Sequence, residues 1–369
     1  MKKICIVALA FLELCVSTVN AAIDPASLER LELVIELVEE NAYNPPMRNV
    51  GVDAAIRGYM QSIDEYSTYL TPQEYVKWKN SQAPEFSGVG IDLLIGRDGR
   101  VYCVPWKNSP AEIAGMNYRD ILLSVDDEPV TNLSAYGLQS LIRGVDASRV
   151  KFNWHDGEQV KSAVLIRRNV SRNSVSLITD NRVPIIQISC FDSNTLPQLQ
   201  AILTRLTGGM PVILDLRGNV GGELQAATAC ASLFTPKDTV LIWEQRRNEA
   251  SIAHKSVNMG TFNPGQIIIW QDSFTASAAE AFCVALVQNN AGFSMGETSF
   301  GKGVSQRLME AASGAAFVMT DSLLLDPRGV TWNATGIEPQ MKVSPATEQN
   351  LLIQSAIYLE QSTFETEDR

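Results

Sequence analysis

Three short apolar runs, Val183 to Ser189, Pro211 to Leu216 and Gln266 to Trp270, constrain the fold more than any other feature of the chain. Their length suits strands buried in a sheet rather than helices. The second and third each precede a helical segment, Glu223 to Leu233 and Ser277 to Gln288. Strands that alternate with helices predict a layered α/β core with mainly parallel pairing from about Val170 onward.

Upstream of that core the texture is different. Between Phe86 and Arg168 short strand signals are broken by turns. Ser87-Gly88-Val89-Gly90-Ile91 is a glycine-rich turn entering an apolar strand, and Asp98-Gly99 and Asp156-Gly157 mark hairpins. Ser109-Pro110 opens a short helix that closes on Gly115, Asp120 to Asp126 reads as a strand ending in a turn, and Ser134 to Ile142 as a second helix. This order resembles a PDZ domain over residues 83–168, with one departure: Tyr118-Arg119-Asp120 stands where such domains usually carry Gly-Asp. The resemblance implies that the backbone N–H groups of Gly88, Val89, Gly90 and Ile91 bind a terminal carboxylate while an extended peptide adds to the sheet.

Nearer the start, Leu28, Leu31, Val34, Ile35 and Val38 recur at helical spacing, with Pro45-Pro46 as the stop, and a second amphipathic segment runs from Val52 to Ile63. Residues 22–82 are therefore expected to form an N-terminal helical region that becomes loop-like toward its end. Residues 1–21, with Lys2 and Lys3, an apolar run from Ile4 to Val19 and Val19-Asn20-Ala21 as a small-residue cleavage site, read as a secretory signal. The rival is a membrane anchor, but Glu13 interrupts the run, so no stable membrane insertion is expected after cleavage. Export is expected, and the short two-lysine signal favours a bacterial periplasm. A formal net charge of -11 argues against nucleic acid as a partner. Cys103, Cys190, Cys230 and Cys283 remain after the signal, widely spaced and without a zinc pattern, and are expected as buried free thiols.

Both strand-to-helix junctions of the core are crowded with small residues where a helix N-terminus would bind an anion. The strings are Asp215-Leu216-Arg217-Gly218-Asn219-Val220-Gly221-Gly222 and Thr275-Ala276-Ser277-Ala278-Ala279-Glu280. A serine in such a place is ordinarily a helix cap. Its company changes the reading: Gly301-Lys302-Gly303 encloses a lysine between glycines, beside Phe300. His155 and His254 are the only histidines and neither sits in a motif, which leaves both as surface residues and makes a Ser/His/Asp triad improbable. A lysine can replace the histidine if burial lowers its pKa from about 10.4 enough for the neutral amine to accept a proton. The oxyanion then needs N–H donors, for which Ala278 and either Gly221 or Gly222 are the candidates.

The strings DLRGNVGG, TASAAE and GETSFGKGVSQ, in that order, resemble the three signature segments of the C-terminal processing (tail-specific) serine peptidases. The likeness extends upstream to SIDEYSTYLTPQEY and downstream to Asp326-Pro327-Arg328-Gly329 and Gly336-Ile337-Glu338-Pro339. It implies a crotonase-like layered α/β protease core at 169–345 with the inserted PDZ domain, an N-terminal helical segment, and a C-terminal helix and tail at 346–369. It further implies Ser277 as nucleophile, Lys302 as general base, Gln306 as the residue that orients Lys302, and no metal or organic cofactor. Substrates would be proteins or peptides with free C-termini, with an activating adaptor protein and a homo-oligomer among the expected partners. Two other readings stand beside it. One is a non-catalytic PDZ scaffold on an inactive peptidase fold, and the other is an amidase or esterase using the same dyad.

Overall fold

The computed structural model describes residues 24–83, 86–170, 172–179, 181–257 and 265–367, so the signal-like segment lies outside the described residues. These residues form two compact units, one ending at Gly58 and one beginning at Tyr59. The first holds helix α1 (Pro25–Asn41) and most of α2 (Arg48–Gln61). The Asp24 carboxylate accepts Ala26 N–H at 3.3 Å to start α1, and Arg48 pairs with Glu39 at 2.5 Å. No side chain of α1 is buried.

In the second unit the three apolar runs are the centre of a six-stranded sheet ordered β10 (Val175–Ile178), β11 (Ile185–Ile188), β12 (Val212–Asp215), β15 (Ile267–Gln271), β16 (Phe293–Gly296), β19 (Met341–Lys342). All pairs from β11 to β19 are parallel, and only β10 joins antiparallel. Alternate side chains of each strand leave opposite faces, so the runs are apolar on both. Val212 and Leu214 pack with Ile267 and Ile269 under α6 (Thr195–Leu203), α7 (Leu224–Ala231) and α8 (Ala278–Gln288). Ile213, Ile268 and Trp270 face the other way, against Leu351 and Tyr358 of the C-terminal helix α9 (Glu348–Glu367). The α8 sequence AAEAFCVALVQ is apolar on nearly every side, and its residues 278–286 are all buried.

A second, antiparallel sheet has the order β1 (Thr68–Leu70), β18 (Ala316–Leu325), β13 (Val240–Arg246), β14 (Ile252–Lys255), with β17 (Val304–Glu310) also on β18. The expected helical region 22–82 therefore divides. Its last third, read as a loop, contains β1 and a further helix, α3 (Pro72–Ser81), and both belong to the larger unit. Helix α3 starts in a capping box: Glu74 N–H donates to Thr71 Oγ1 at 3.2 Å while Thr71 N–H donates to Glu74 Oε2 at 2.9 Å.

Residues 86–168 form an antiparallel sheet ordered β3 (Ile91–Ile95), β4 (Val101–Pro105), β5 (Ile121–Val125), β8 (Arg149–His155), β9 (Val160–Ile166). The short strand β6 (Glu128–Pro129) pairs β5, and β2 (Phe86–Ser87) pairs β7 (Gly144–Val145). Two helices, α4 (Pro110–Ile113) and α5 (Ala135–Ile142), start at Ser109 and Ser134 as expected, each with the serine hydroxyl accepting an N–H at 3.2 Å. Val89, Cys103, Met116, Leu138, Phe152 and Trp154 form a core of this insertion separate from that of the large sheet.

Candidate active site

Strands β12, β15 and β16 are parallel neighbours, so the three loops that leave their C-terminal ends lie side by side. Those loops carry the three strings singled out in the sequence. Asn219, fully buried, stitches the first to its surroundings: Asn219 Nδ2 donates to the Ile188 carbonyl at 2.8 Å, and the Asn219 carbonyl accepts Ala276 N–H at 2.9 Å from the second loop. The third loop is tied to the second by Phe300 N–H donating to the Thr275 carbonyl at 2.9 Å.

At the start of α8, Ser277 has φ 55° and ψ −118°. Non-glycine residues are held in that region only where the surroundings over-determine it, and it is where the nucleophile of a strand-to-helix elbow sits. The surroundings here are Gly221 and Glu280. A Cβ on Gly221 would lie 2.8 Å from Ser277 Cβ and 2.9 Å from the Ala276 carbonyl oxygen, so only glycine lets the first loop close on the serine.

Glu280 is fully buried in the first turn of α8, and both its oxygens are occupied. Oε2 accepts the N–H of Ser277 and the N–H of Lys302, both at 2.8 Å; Oε1 accepts Gly301 N–H at 2.7 Å and Ser299 Oγ at 2.5 Å. One carboxylate therefore carries the backbones of the serine and the lysine, whose nitrogens lie within twice that shared distance of each other. Burial pushes the Glu280 carboxyl above its usual range, against which the four donors act.

The Lys302 amine lies 4.8 Å from the centre of the Tyr66 ring, in the segment preceding β1. Burial pulls its pKa below the ordinary lysine value; Asp64, Glu280 and Glu65 oppose that shift. Among the described residues Lys302 Nζ makes no hydrogen bond, to Ser277 Oγ or to any other acceptor. Gln306, on β17 at a bulge after Ser305, donates from Nε2 to Thr320 Oγ1 at 3.2 Å and not to Lys302.

Of the candidate oxyanion donors, Gly221 N–H is engaged by Asn219 Oδ1 at 2.9 Å. The N–H groups of Gly222 and Ala278 donate to no other group among the described residues, which leaves that pair. Gly222, at φ 137°, is bridged to Phe191, whose carbonyl oxygen occupies the space a side chain would need. In the insertion, the carbonyls of Gly88, Val89 and Gly90 accept Arg168, Ala111 and Trp106 N–H groups, and Gly88 is bridged antiparallel to Arg168, whereas the N–H groups of Val89 and Gly90 take no acceptor among the described residues. Ile91 opens the edge strand β3.

The histidines lie elsewhere. His155 Nδ1 accepts Gly157 N–H in the hairpin turn. His254 is not a solvated residue as expected: it is half-buried on β14, with Nε2 3.0 Å from Glu244 Oε2. Cys103, Cys230 and Cys283 are buried free thiols and Cys190 is half-buried; burial holds Cys230 and Cys283 up at about 12 and Cys190 at about 11. Among the described residues no cluster of three metal-ligating side chains occurs, and no helix is long and apolar enough to cross a membrane.

Sequence reasoning assigned no role to Glu280, Tyr66 or Asp272. Glu280 carried a signal, because a glutamate three residues after a helix-starting serine is a capping pattern and this one falls in an otherwise apolar helix. Tyr66 lies within SIDEYSTYLTPQEY, but nothing local ties it to Lys302, to which it is brought by chain folding across more than two hundred residues.

Residues 182–343 match the family model Peptidase family S41. The chain is 29% identical over 329 residues to the carboxy-terminal processing protease CtpA of Bacillus subtilis (strain 168), a match that covers 88% of this chain and 70% of that protein. It is 28% identical over 352 residues to the "Probable CtpA-like serine protease" of Staphylococcus aureus (strain N315), covering 94% and 71%. Among solved structures the photosystem II D1 C-terminal processing protease shares the fold, with a TM-score of 0.67 at 21% identity over 88% of this chain and 95% of that one.

Proposed function

Since the chain is a serine-type peptidase of family S41, related to the carboxy-terminal processing proteases, we propose that it cleaves exported proteins near their C-termini by an acyl-enzyme mechanism on a Ser277/Lys302 dyad. Ser277 Oγ attacks the scissile carbonyl while the neutral Lys302 amine takes its proton and then returns it to the leaving amine. Gly222 and Ala278 N–H groups receive the oxyanion, and water releases the acyl group. The observation that carries the reading is the pairing of a serine at φ 55° with a half-buried, hydrogen-bond-free lysine through one carboxylate, Glu280. A lysine kept only for structure would be expected to spend its amine on an ion pair.

In this reading Lys302 Nζ reaches Ser277 by rotation of its own side chain away from Tyr66, and Gln306 becomes its orienting partner by leaving Thr320. Residues 83–168 act as a PDZ module, in which the Gly88-Val89-Gly90-Ile91 turn receives a terminal carboxylate beside the β3 edge, the unengaged N–H groups of Val89 and Gly90 supporting that reading. A groove of about 1460 Å³, lined by Trp106, Arg168 and Leu165 on the insertion and by Asp215, Gly218 and Asp272 at the catalytic loops, is a path for an extended chain. Residues 1–21 direct export.

The test uses a disordered protein substrate, with products read by mass spectrometry. Wild type should cut it near the C-terminus, an amidated copy should be cut more slowly, and Lys302→Ala should be inactive while melting as wild type does. Normal turnover by Lys302→Ala would defeat the assignment.

A further inference from the structure

The one string of the insertion that departs from its resemblance, Tyr118-Arg119, packs directly on the catalytic loops, as Arg97 and Tyr102 of the neighbouring hairpin also do. Tyr118 Oη donates to Asp272 Oδ2 at 2.5 Å, and the Tyr118 ring lies edge-on to Phe274, with centroids 5.0 Å apart. The same ring covers Gly218, where an added Cβ would come 3.2 Å from Tyr118 Cε2. Arg119 spans Ser273 Oγ at 3.1 Å and Glu297 Oε2 at 3.3 Å, with its guanidinium 5.1 Å from the Phe274 ring centre.

Asp272 is the reason this contact matters. It is 3% exposed, and its other oxygen, Oδ1, accepts Gly218 N–H at 3.2 Å from the first catalytic loop and Phe274 and Thr275 N–H at 3.0 and 3.1 Å from the second. Asp272 thus fastens the loop of the oxyanion glycine to the loop of the nucleophile. An ionised carboxylate at that depth depends on hydrogen bonds for both oxygens. Among the described residues, Oδ2 has only the Tyr118 hydroxyl in hydrogen-bonding range, with Arg119 at 3.8 Å.

We propose that Tyr118 is a positioning residue for the peptidase reaction: acting through Asp272, its hydroxyl holds the two catalytic loops in register, so that the insertion forms part of the active-site framework. The inference rests on the Ser277/Lys302 reading and adds to it a regulatory consequence. Any motion that lifts Tyr118 from Asp272 loosens the oxyanion and nucleophile loops together.

Tyr118→Phe removes the hydroxyl and keeps the ring on Gly218 and Phe274. In the full mature protein, with a disordered substrate, kcat should fall about tenfold or more with KM within about twofold and an unchanged melting temperature. The acid limb of kcat should move to higher pH, because the lost donor had favoured the charged carboxylate. The other charged groups around Asp272, Arg119, Arg217 and, through Arg119, Glu297, are left in place. Tyr102→Phe is the control: that hydroxyl donates to Asp98 within its own hairpin, away from Asp272, and its ring also meets Phe274. It should leave kcat within about twofold. Wild-type kcat and pH profile in Tyr118→Phe, or an equal loss in Tyr102→Phe, would overturn the proposal. If wild type cleaves and Ser277→Ala does not, such a result removes this inference alone; activity in Ser277→Ala removes the dyad itself.

Discussion

As the proposed nucleophile, Ser277 concentrates two opposing demands, a reactive position and a costly backbone. A non-glycine residue in a sparsely populated backbone region costs of order 1–3 kcal/mol. Ser277→Gly should therefore be as stable as wild type or up to about 1 kcal/mol more stable in urea titration, and without detectable turnover. Lys302→Arg should be as inactive as Lys302→Ala, a loss on the order of 10⁴-fold, because a guanidinium stays charged at any working pH. Since only the neutral amine accepts a proton and burial lowers its pKa, wild-type kcat/KM should rise with pH along a limb below the ordinary lysine value of about 10.4; a limb at that value would mean an unperturbed amine. At this scale the sequence was informative where chemistry leaves a compositional trace. The crowding of glycine and alanine around Ser277 and Lys302 marked both, whereas Gly221 and Gly222 could not be told apart. Which of two adjacent N–H groups is engaged by Asn219 depends on the turn itself.

Elements were legible in proportion to how far local pattern decides them. The apolar runs became β11, β12 and β15, and the serine-started helices α4 and α5 begin where their caps stand. Helix α3 and strand β1 were read as loop because their apolar residues are few; α3 buries Tyr75 and Ser81, and β1 is a three-residue strand whose pairing partner lies far along the chain. The Thr71/Glu74 capping box was nevertheless present in the sequence. Thr71→Ala should cost about 1 kcal/mol in urea unfolding. A core substitution in α8 is of another order: Phe282 is fully buried between Phe191 and Phe234, and Phe282→Ala should cost about 3–5 kcal/mol.

Within the unit that begins at Tyr59, the insertion is joined to the protease sheet by contacts that no local pattern announces. Arg97 donates to the Phe300 carbonyl at 2.9 Å, Arg119 pairs with Glu297, and Arg172 bridges Asp92 on β3 and the Ser189 carbonyl while lying over Trp106. Arg172 and Asp92 are largely buried, so losing one partner leaves an uncompensated charge. Arg172→Ala should cost about 3 kcal/mol and expose the 168–173 connection to added trypsin; unaltered resistance would show that the bridge carries no weight. The reach of Glu280 has a mechanical consequence for such a machine. Because one carboxylate accepts from the main chain at both Ser277 and Lys302, those two backbones cannot slide past one another without breaking that grip. In the proposed dyad, the amine therefore approaches the hydroxyl by torsion about the four-methylene stem of Lys302 rather than by translation of its loop.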